Sequence, residues 1–341
     1  MRGDRACRAS GRSRGVQVPV NLQFKAIRED EPGEKWRAHF ARVWPDYERW
    51  FLQEGEGKRP GYLSCLRALK EHMPELVETW ERLSELAGGS DLAARMLALY
   101  CPPPFLTGCS QAIWTRGEPA LIRNYDFHPA SCEALILCSQ WNGTRTLASS
   151  DCLWGALDGI NEHGLAVALA FGGRRMVGTG FGIPLILRYL LEFCEDVPQA
   201  VEALERIPCH MSYTVGLVDS SGESRVVYLN PDRPTEVRKT TVFTNHQDEV
   251  HWPEYAENTR SLERHAFLAE HHEMANESLE QFTDRFLKPP LHTREYAKAF
   301  GTLYTAVYRP SDRSAEFKWP AQTWHQSLDN FVEGASVIEF S

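Results

Sequence analysis

The sequence contains no run of 18 apolar residues, so no membrane-spanning helix is written in it. Its nine cysteines (7, 65, 101, 109, 132, 138, 152, 194 and 209) are odd in number and include no Cys-x-x-Cys pair. That excludes a disulfide framework and suits a reduced, cytoplasmic protein. Positive charge is short as well: 37 Lys and Arg stand against 46 Asp and Glu, a net of −9. Nucleic acid and anionic membrane are therefore poor candidates for the main partner. Gly-x-Ser-x-Gly is missing, which removes the usual α/β-hydrolase elbow. The glycine-rich stretch Gly172–Gly182 lacks the Gly-Lys-Ser/Thr ending of a phosphate-binding loop. His265, His271 and His272 with Glu263, Glu270 and Glu273 are not spaced as His-Glu-x-x-His, and they read as a solvated helix face. No metal and no cofactor is called for.

The first 20 residues carry five arginines and one acid without an apolar stretch, the pattern of a disordered tail rather than a secretory signal. From about residue 25 to 108 the periodicity is helical. Trp36, Phe40, Val43 and Trp44 share one helix face, and Pro45 suggests a break. Leu63, Leu66 and Leu69 repeat the pattern, Gly88-Gly89 ends it, and Ser90 caps a short helix from Asp91. After Cys101-Pro-Pro-Pro104 the period falls to two. Short strands are expected at 111–114, 120–124, 134–138, 144–149, 153–157 and 165–170. Helices at 182–194 and 198–206 come next, then strands at 213–219, 225–229 and 240–244. Helices at 258–274 and 278–287 precede a closing hairpin, 302–308 with 316–319. Blocks of strands separated by blocks of helices point to an α+β fold, two antiparallel sheets packed face to face with helices outside. The expected division is a tail over 1–24, a helical segment over 25–108 and a catalytic domain over 109–341.

The stretch Leu106-Thr-Gly-Cys-Ser-Gln-Ala-Ile-Trp114 carries the chemistry. Gly108-Cys109 reads as a point where the chain cuts itself, since glycine leaves its own carbonyl unhindered for attack by the thiol. A cysteine freed in this way holds a nucleophile and a base on one residue. Its α-amine titrates near 7.7–8.0, low enough to take the thiol's proton close to neutral pH. Arg123-Asn-Tyr-Asp126 falls on the partner strand of the hairpin that starts at Cys109. Arg123 there would favour the thiolate, and Asp126 would bond the α-ammonium or a substrate group. Tyr125 and Phe127 are candidates to touch substrate. Asp158-Gly-Ile-Asn161-Glu-His-Gly and Val242-Phe-Thr-Asn245 each place an amide at a strand end, either an oxyanion donor or an ordinary turn asparagine. Arg174 and Arg175, in the glycine-rich loop, are placed to meet an anionic substrate.

Taken in order, Gly-Cys, Arg-Asn-Tyr-Asp, Asp-Gly-x-Asn-Glu-x-Gly-Leu and Phe-Thr-Asn resemble the N-terminal nucleophile (Ntn) hydrolases. More narrowly the set resembles the peptidase C45 branch, the acyl-coenzyme A:6-aminopenicillanic acid acyltransferase-like enzymes related to choloylglycine hydrolases. The resemblance implies a four-layer α/β/β/α sandwich. It makes Cys109 the nucleophile, with Arg123 and Asp126 orienting it and Asn161 and Asn245 forming the oxyanion hole and holding the α-amine. An arginine in a Ser-x-x-Arg helix start would complete the site; Ser261-Leu-Glu-Arg264 fits, with Arg260 as the adjacent alternative. The implied partner is a small acyl-amide, with an acyl-CoA or an amine acceptor beside it; a homo-oligomer is compatible. Two rivals stand beside this. One is a papain-like pair of Cys109 with a distant His246. The other is a non-catalytic binding protein on the same fold.

Overall fold

The computed structural model describes residues 20–274 and 276–340. Strand β1 (Val20–Glu29) comes first, then helices α1 (Glu34–Phe51), α2 (Tyr62–His72), α3 (Val77–Leu86) and α4 (Asp91–Leu97). Six strands follow: β2 (Gly108–Trp114), β3 (Ala120–Phe127), β4 (Leu135–Ser139), β5 (Thr146–Asp151), β6 (Gly155–Asn161) and β7 (Ala166–Phe171). Helices α5 (Ile183–Phe193) and α6 (Val197–Arg206) lead to β8 (Tyr213–Val218), β9 (Ser224–Leu229), β10 (Glu236–Arg238) and β11 (Val242–Phe243). After α7 (Pro253–Asn258), α8 (Ser261–His272) and α9 (Leu279–Phe286) come β12 (Arg294–Glu295), β13 (Phe300–Arg309), β14 (Ser314–Trp319), β15 (Gln322–Ser327) and β16 (Gly334–Phe340).

These strands build two sheets. One runs β10-β9-β8-β7-β6-β5-β4-β1-β16, and the other β11-β2-β3-β13-β14-β15 with β12 on β13. Strands β2 and β3 lie against β7 and β8, so the sheets meet face to face. Helices α5 and α6 cover the outer face of the first sheet, and α8 and α9 that of the second. This is the expected four-layer α+β sandwich. Its pairing is antiparallel except between β1 and β4.

Two details of the N-terminal part differ from the sequence expectation. Val20–Glu29, which straddles the expected tail and helical segment, is a strand seated inside the first sheet between β4 and β16. Phe24 and Ala26 point into the core, the alternation of a half-buried strand. Residues 1–19 of that expected tail lie outside the described part. Helix α1 also continues through Pro45 to Phe51. Trp36, Phe40, Val43 and Phe51 are buried along it. At roughly 1.5–3 kcal/mol each, their burial outweighs the about 3 kcal/mol that an internal proline costs.

The helical segment is keyed into the sandwich by polar contacts. The Trp36 indole donates to the Leu153 carbonyl at 2.8 Å, and the Trp154 indole donates to Leu97 at 2.8 Å. The Tyr47 hydroxyl joins two buried carboxylates, Glu133 and Asp151. One phenolic hydrogen cannot serve both; burial and the Glu133 charge push the Asp151 carboxyl up to about 8, so the second proton sits there. This junction predicts that the piece before Cys109 stays bound after any cut at that residue.

Candidate active site

Strand alternation sorts the hairpin residues onto two faces. Cys109 pairs with Tyr125, and Gly108 with Asp126. Cys109 and Gln111 on β2, with Arg123 and Tyr125 on β3, face the other sheet: Gln111 and Arg123 both donate to the Leu169 carbonyl on β7. Ser110, Asn124 and Asp126 face the helices. The expected Arg-Asn-Tyr-Asp group is therefore divided, its arginine on the thiol's side and its aspartate on the opposite side.

On the inner face, Arg123 Nη2 lies 3.3 Å from Cys109 Sγ. Its Nη1 donates to Asp158 and stands 3.2 Å from the Tyr304 hydroxyl. Asp158 also accepts from Tyr304 at 2.8 Å and from Tyr308. A carboxylate with no exposure at all is tolerable only with such donors around it. Burial pushes the Cys109 thiol up, and the Arg123 charge opposes that shift. Besides Arg123, the thiol's described partner is Thr107 Oγ1 at 3.5 Å.

On the outer face, Arg264 of α8 holds the backbone of Cys109. Its Nη1 donates to the Cys109 carbonyl and, at 2.8 Å, to Ser110 Oγ; its Nη2 donates to Asn245 Oδ1 at 2.9 Å. Asp126 lies 3.7 Å from Arg264 and accepts from Thr302 at 2.7 Å, while its other oxygen has no hydrogen-bond partner among the described residues. Burial raises the Asp126 carboxyl despite the Arg264 charge. Arg260, the alternative considered for this role, bonds instead to the Pro290 carbonyl, at 3.4 Å.

Asn245 joins the two faces. Its Oδ1 accepts the Cys109 amide N–H at 2.9 Å, and its Nδ2 donates to the Thr107 carbonyl at 3.0 Å and to the Phe171 carbonyl at 3.3 Å. The Thr107 carbonyl also accepts from the Tyr255 hydroxyl at 2.8 Å. Two donors thus converge on one carbonyl beside the thiol, the arrangement of an oxyanion hole. Ser261 Oγ accepts the Asn245 N–H at 2.9 Å and fixes that side chain's base. Gly108 is required sterically: a Cβ there would run into the Phe300 ring and lie 2.9 Å from Asp126 Cβ.

Other expected residues are used elsewhere. Asn161 makes no contact with Cys109 or its neighbours. Its Nδ2 donates to the Leu191 and Cys194 carbonyls, at 3.1 and 2.7 Å, and its Oδ1 accepts from His163 and Leu165, so its amide is committed to the end of α5 and to the turn, away from Cys109. Arg174 is held by Asp232 at 2.8 Å through both nitrogens. Arg175 lies 3.9 Å over the Trp252 ring, which stacks on Tyr255. Tyr125 is buried beside Cys109 and stacks on the half-buried Phe127. His246 bonds Ser261 at 2.8 Å, and burial, with His265 nearby, pushes it down to about 4. Among the described residues no imidazole bonds the thiol, so the papain-like pairing finds no support. Asp158, Tyr255 and Ser261 were not expected. Asp158 and Ser261 sit inside the two motifs that drew attention to Asn161 and Arg264; Tyr255 carries no sequence signal.

Two face-to-face sheets with a cysteine near the start of an inner strand define the class, a sandwich of the Ntn-hydrolase type. Sequence comparison gives the family: residues 114–324 match the acyl-coenzyme A:6-aminopenicillanic acid acyl-transferase family. This covers more than half of the chain, which belongs to that family. The matched part includes Arg123, Asp126, Asp158, Asn245 and Arg264, and begins after Cys109. Among solved structures, penicillin V acylase from Agrobacterium tumefaciens is similar at 14% identity, with 65% of this chain and 86% of that one covered and a TM-score of 0.47. A Caenorhabditis elegans N-acylethanolamine-hydrolyzing acid amidase ortholog is similar at 14% identity, over 68% and 99%, with a TM-score of 0.47. A mutant of conjugated bile acid hydrolase from Clostridium perfringens follows at 12% identity, over 67% and 96%, with a TM-score of 0.41. No curated protein matches the chain in sequence.

Proposed function

We propose that this chain is an N-terminal-cysteine amide hydrolase or acyltransferase, activated by its own cleavage between Gly108 and Cys109. The observation that carries the reading is Asn245. One end of its amide holds the nitrogen that would become the α-amine, and the other supplies a donor to a carbonyl next to the thiol. In the cut enzyme the α-amine takes the thiol's proton, and the sulfur attacks the carbonyl carbon of a linear amide. Asn245 Nδ2 and the Tyr255 hydroxyl, relieved of Thr107, receive the oxyanion. The α-ammonium then protonates the departing amine, leaving an acyl-thioester. Water or a second amine takes the acyl group and returns the thiol. Arg123, backed by Asp158, stabilises the thiolate; Arg264, near Asp126, holds the residue that does the work. The substrate is a small acyl-amide, and an acyl-CoA or a free amine would serve as a further donor or acceptor. The test is a panel of acyl-amides turned over by the purified protein, with release of free amine as readout. Absence of turnover on every amide by a fully cut protein would sink the assignment.

A further inference from the structure

Self-cleavage has to start in a chain without the α-amine, because the Cys109 nitrogen belongs to a peptide bond until the link to Gly108 breaks. The thiol's proton then needs another route. Solvent is not at hand: Cys109 has no exposed surface and Thr107 is 1% exposed. The charged and titratable groups that face or flank the sulfur are Arg123 and Tyr125 on β3, Tyr213 on β8 and Tyr255 on α7, with Asp126 and Arg264 beyond the strand. None of them offers the sulfur a base. Arg123 is a cation bound to Asp158. Burial raises all three phenols, so none ionises near neutral pH. Tyr255 and Tyr213 spend their hydrogens on the Thr107 and Phe105 carbonyls, at 2.8 and 2.7 Å. Asp126 is turned to the helix side, with Thr302 and Arg264.

Thr107 is the group left at the sulfur. It stands two residues before Cys109, so the alternation of an extended chain puts both side chains on one face. Its Oγ1 lies 3.5 Å from Cys109 Sγ, and this is the hydroxyl's hydrogen bond among the described residues. Asn245 fixes the Thr107 carbonyl with one end of its amide and the Cys109 N–H with the other, so the residues on either side of Gly108 are clamped by one side chain. A threonine hydroxyl accepts one hydrogen bond while donating another, and can pass a proton on without holding a charge.

We propose that Thr107 is a catalytic residue of the self-cleavage step, relaying the thiol's proton to the peptide nitrogen of Cys109. As Sγ bonds the Gly108 carbonyl carbon, the sulfur's hydrogen passes to Thr107 Oγ1, and the hydroxyl's own hydrogen passes to the nitrogen. The Gly108–Cys109 C–N bond breaks, leaving a free α-amine and a thioester. Water hydrolyses the thioester to the Gly108 carboxylic acid and the Cys109 thiol. No outside base is consumed, and after the cut the α-amine takes the thiol's proton instead. The relay rests on the self-cleavage reading and adds the group that starts it.

The test follows the 108- and 233-residue fragments in time on a denaturing gel after cell-free synthesis of each chain. Thr107→Val keeps the shape of the side chain and removes the hydroxyl; Thr107→Ser keeps the hydroxyl and removes a methyl. Near pH 7 the valine chain should cut at least tenfold more slowly than wild type, and the serine chain within about threefold of it. At about pH 9.5 hydroxide takes the thiol's proton directly, so the valine chain should recover most of its rate, which also shows that it folds. Packing alone predicts the reverse order, valine fast and serine slow. Cutting by Thr107→Val at the wild-type rate, equal slowing of both variants, or a valine chain slow at every pH overturns the relay while the cut itself stands. A wild-type chain that stays whole overturns the self-cleavage reading and the relay with it.

Discussion

Asn161 ends β6 and Asn245 stands two residues past β11, each the amide of its motif, yet the structure uses them oppositely. Asn245 follows β11, the edge partner of β2, so its amide falls beside Cys109 and bonds both residues flanking Gly108, as well as Arg264 and the Phe171 carbonyl. Asn161 ends β6 in the other sheet, where its amide staples the end of α5 and closes the turn to Leu165. Both are fully buried and fully bonded. A buried asparagine becomes a candidate for chemistry when its partners belong to the backbone around a candidate nucleophile, and is architecture when they belong to a helix end.

Substitutions sharpen that contrast. The largest effect belongs to Cys109→Ala, which should leave a single full-length band on a denaturing gel and no amide turnover. Next, Asn245→Ala should lower kcat about 10²–10³-fold, as loss of one oxyanion donor does, with an unfolding free energy reduced by about 1–3 kcal/mol. Equal proportional losses in the two would make Asn245 merely structural. Asn161→Ala should do the reverse: urea unfolding loses about 2–4 kcal/mol because buried carbonyls at the end of α5 are orphaned, and kcat of the remaining folded protein changes less than about threefold. A kcat collapse there would erase the distinction drawn between the two residues. Smallest is Tyr255→Phe, which removes one hydroxyl from the carbonyl pocket and should cost about tenfold in kcat with KM held. An unchanged kcat would return Tyr255 to packing.

Much of this was legible in the sequence. The switch from helical to alternating periodicity after Pro104, the hairpin β2–β3 and the order of sheet and helix blocks all follow from apolar spacing. Cys109, Arg123, Asn245 and Arg264 were each legible as motif residues, and the fold brings the last three into contact with Cys109. What was illegible depends on partners remote in sequence. Strand β1 alternates correctly, but its neighbours β4 and β16 lie more than a hundred residues away, and an arginine-rich run precedes it. Asp158 and Asn161 sit three residues apart in one motif, and only the packing of β6 across from β3 shows that the carboxylate reaches Arg123 while the amide does not. Arg174 read as a free cation until the fold brought Asp232 to it.

Everything proposed for Cys109 turns on a single peptide bond, and N-terminal sequencing of the purified protein addresses it directly. Two fragments are expected, of 108 residues and the remaining 233 of the 341, the larger beginning Cys-Ser-Gln-Ala. An intact chain that nonetheless turns over amides, or a cut at any other position, would contradict it.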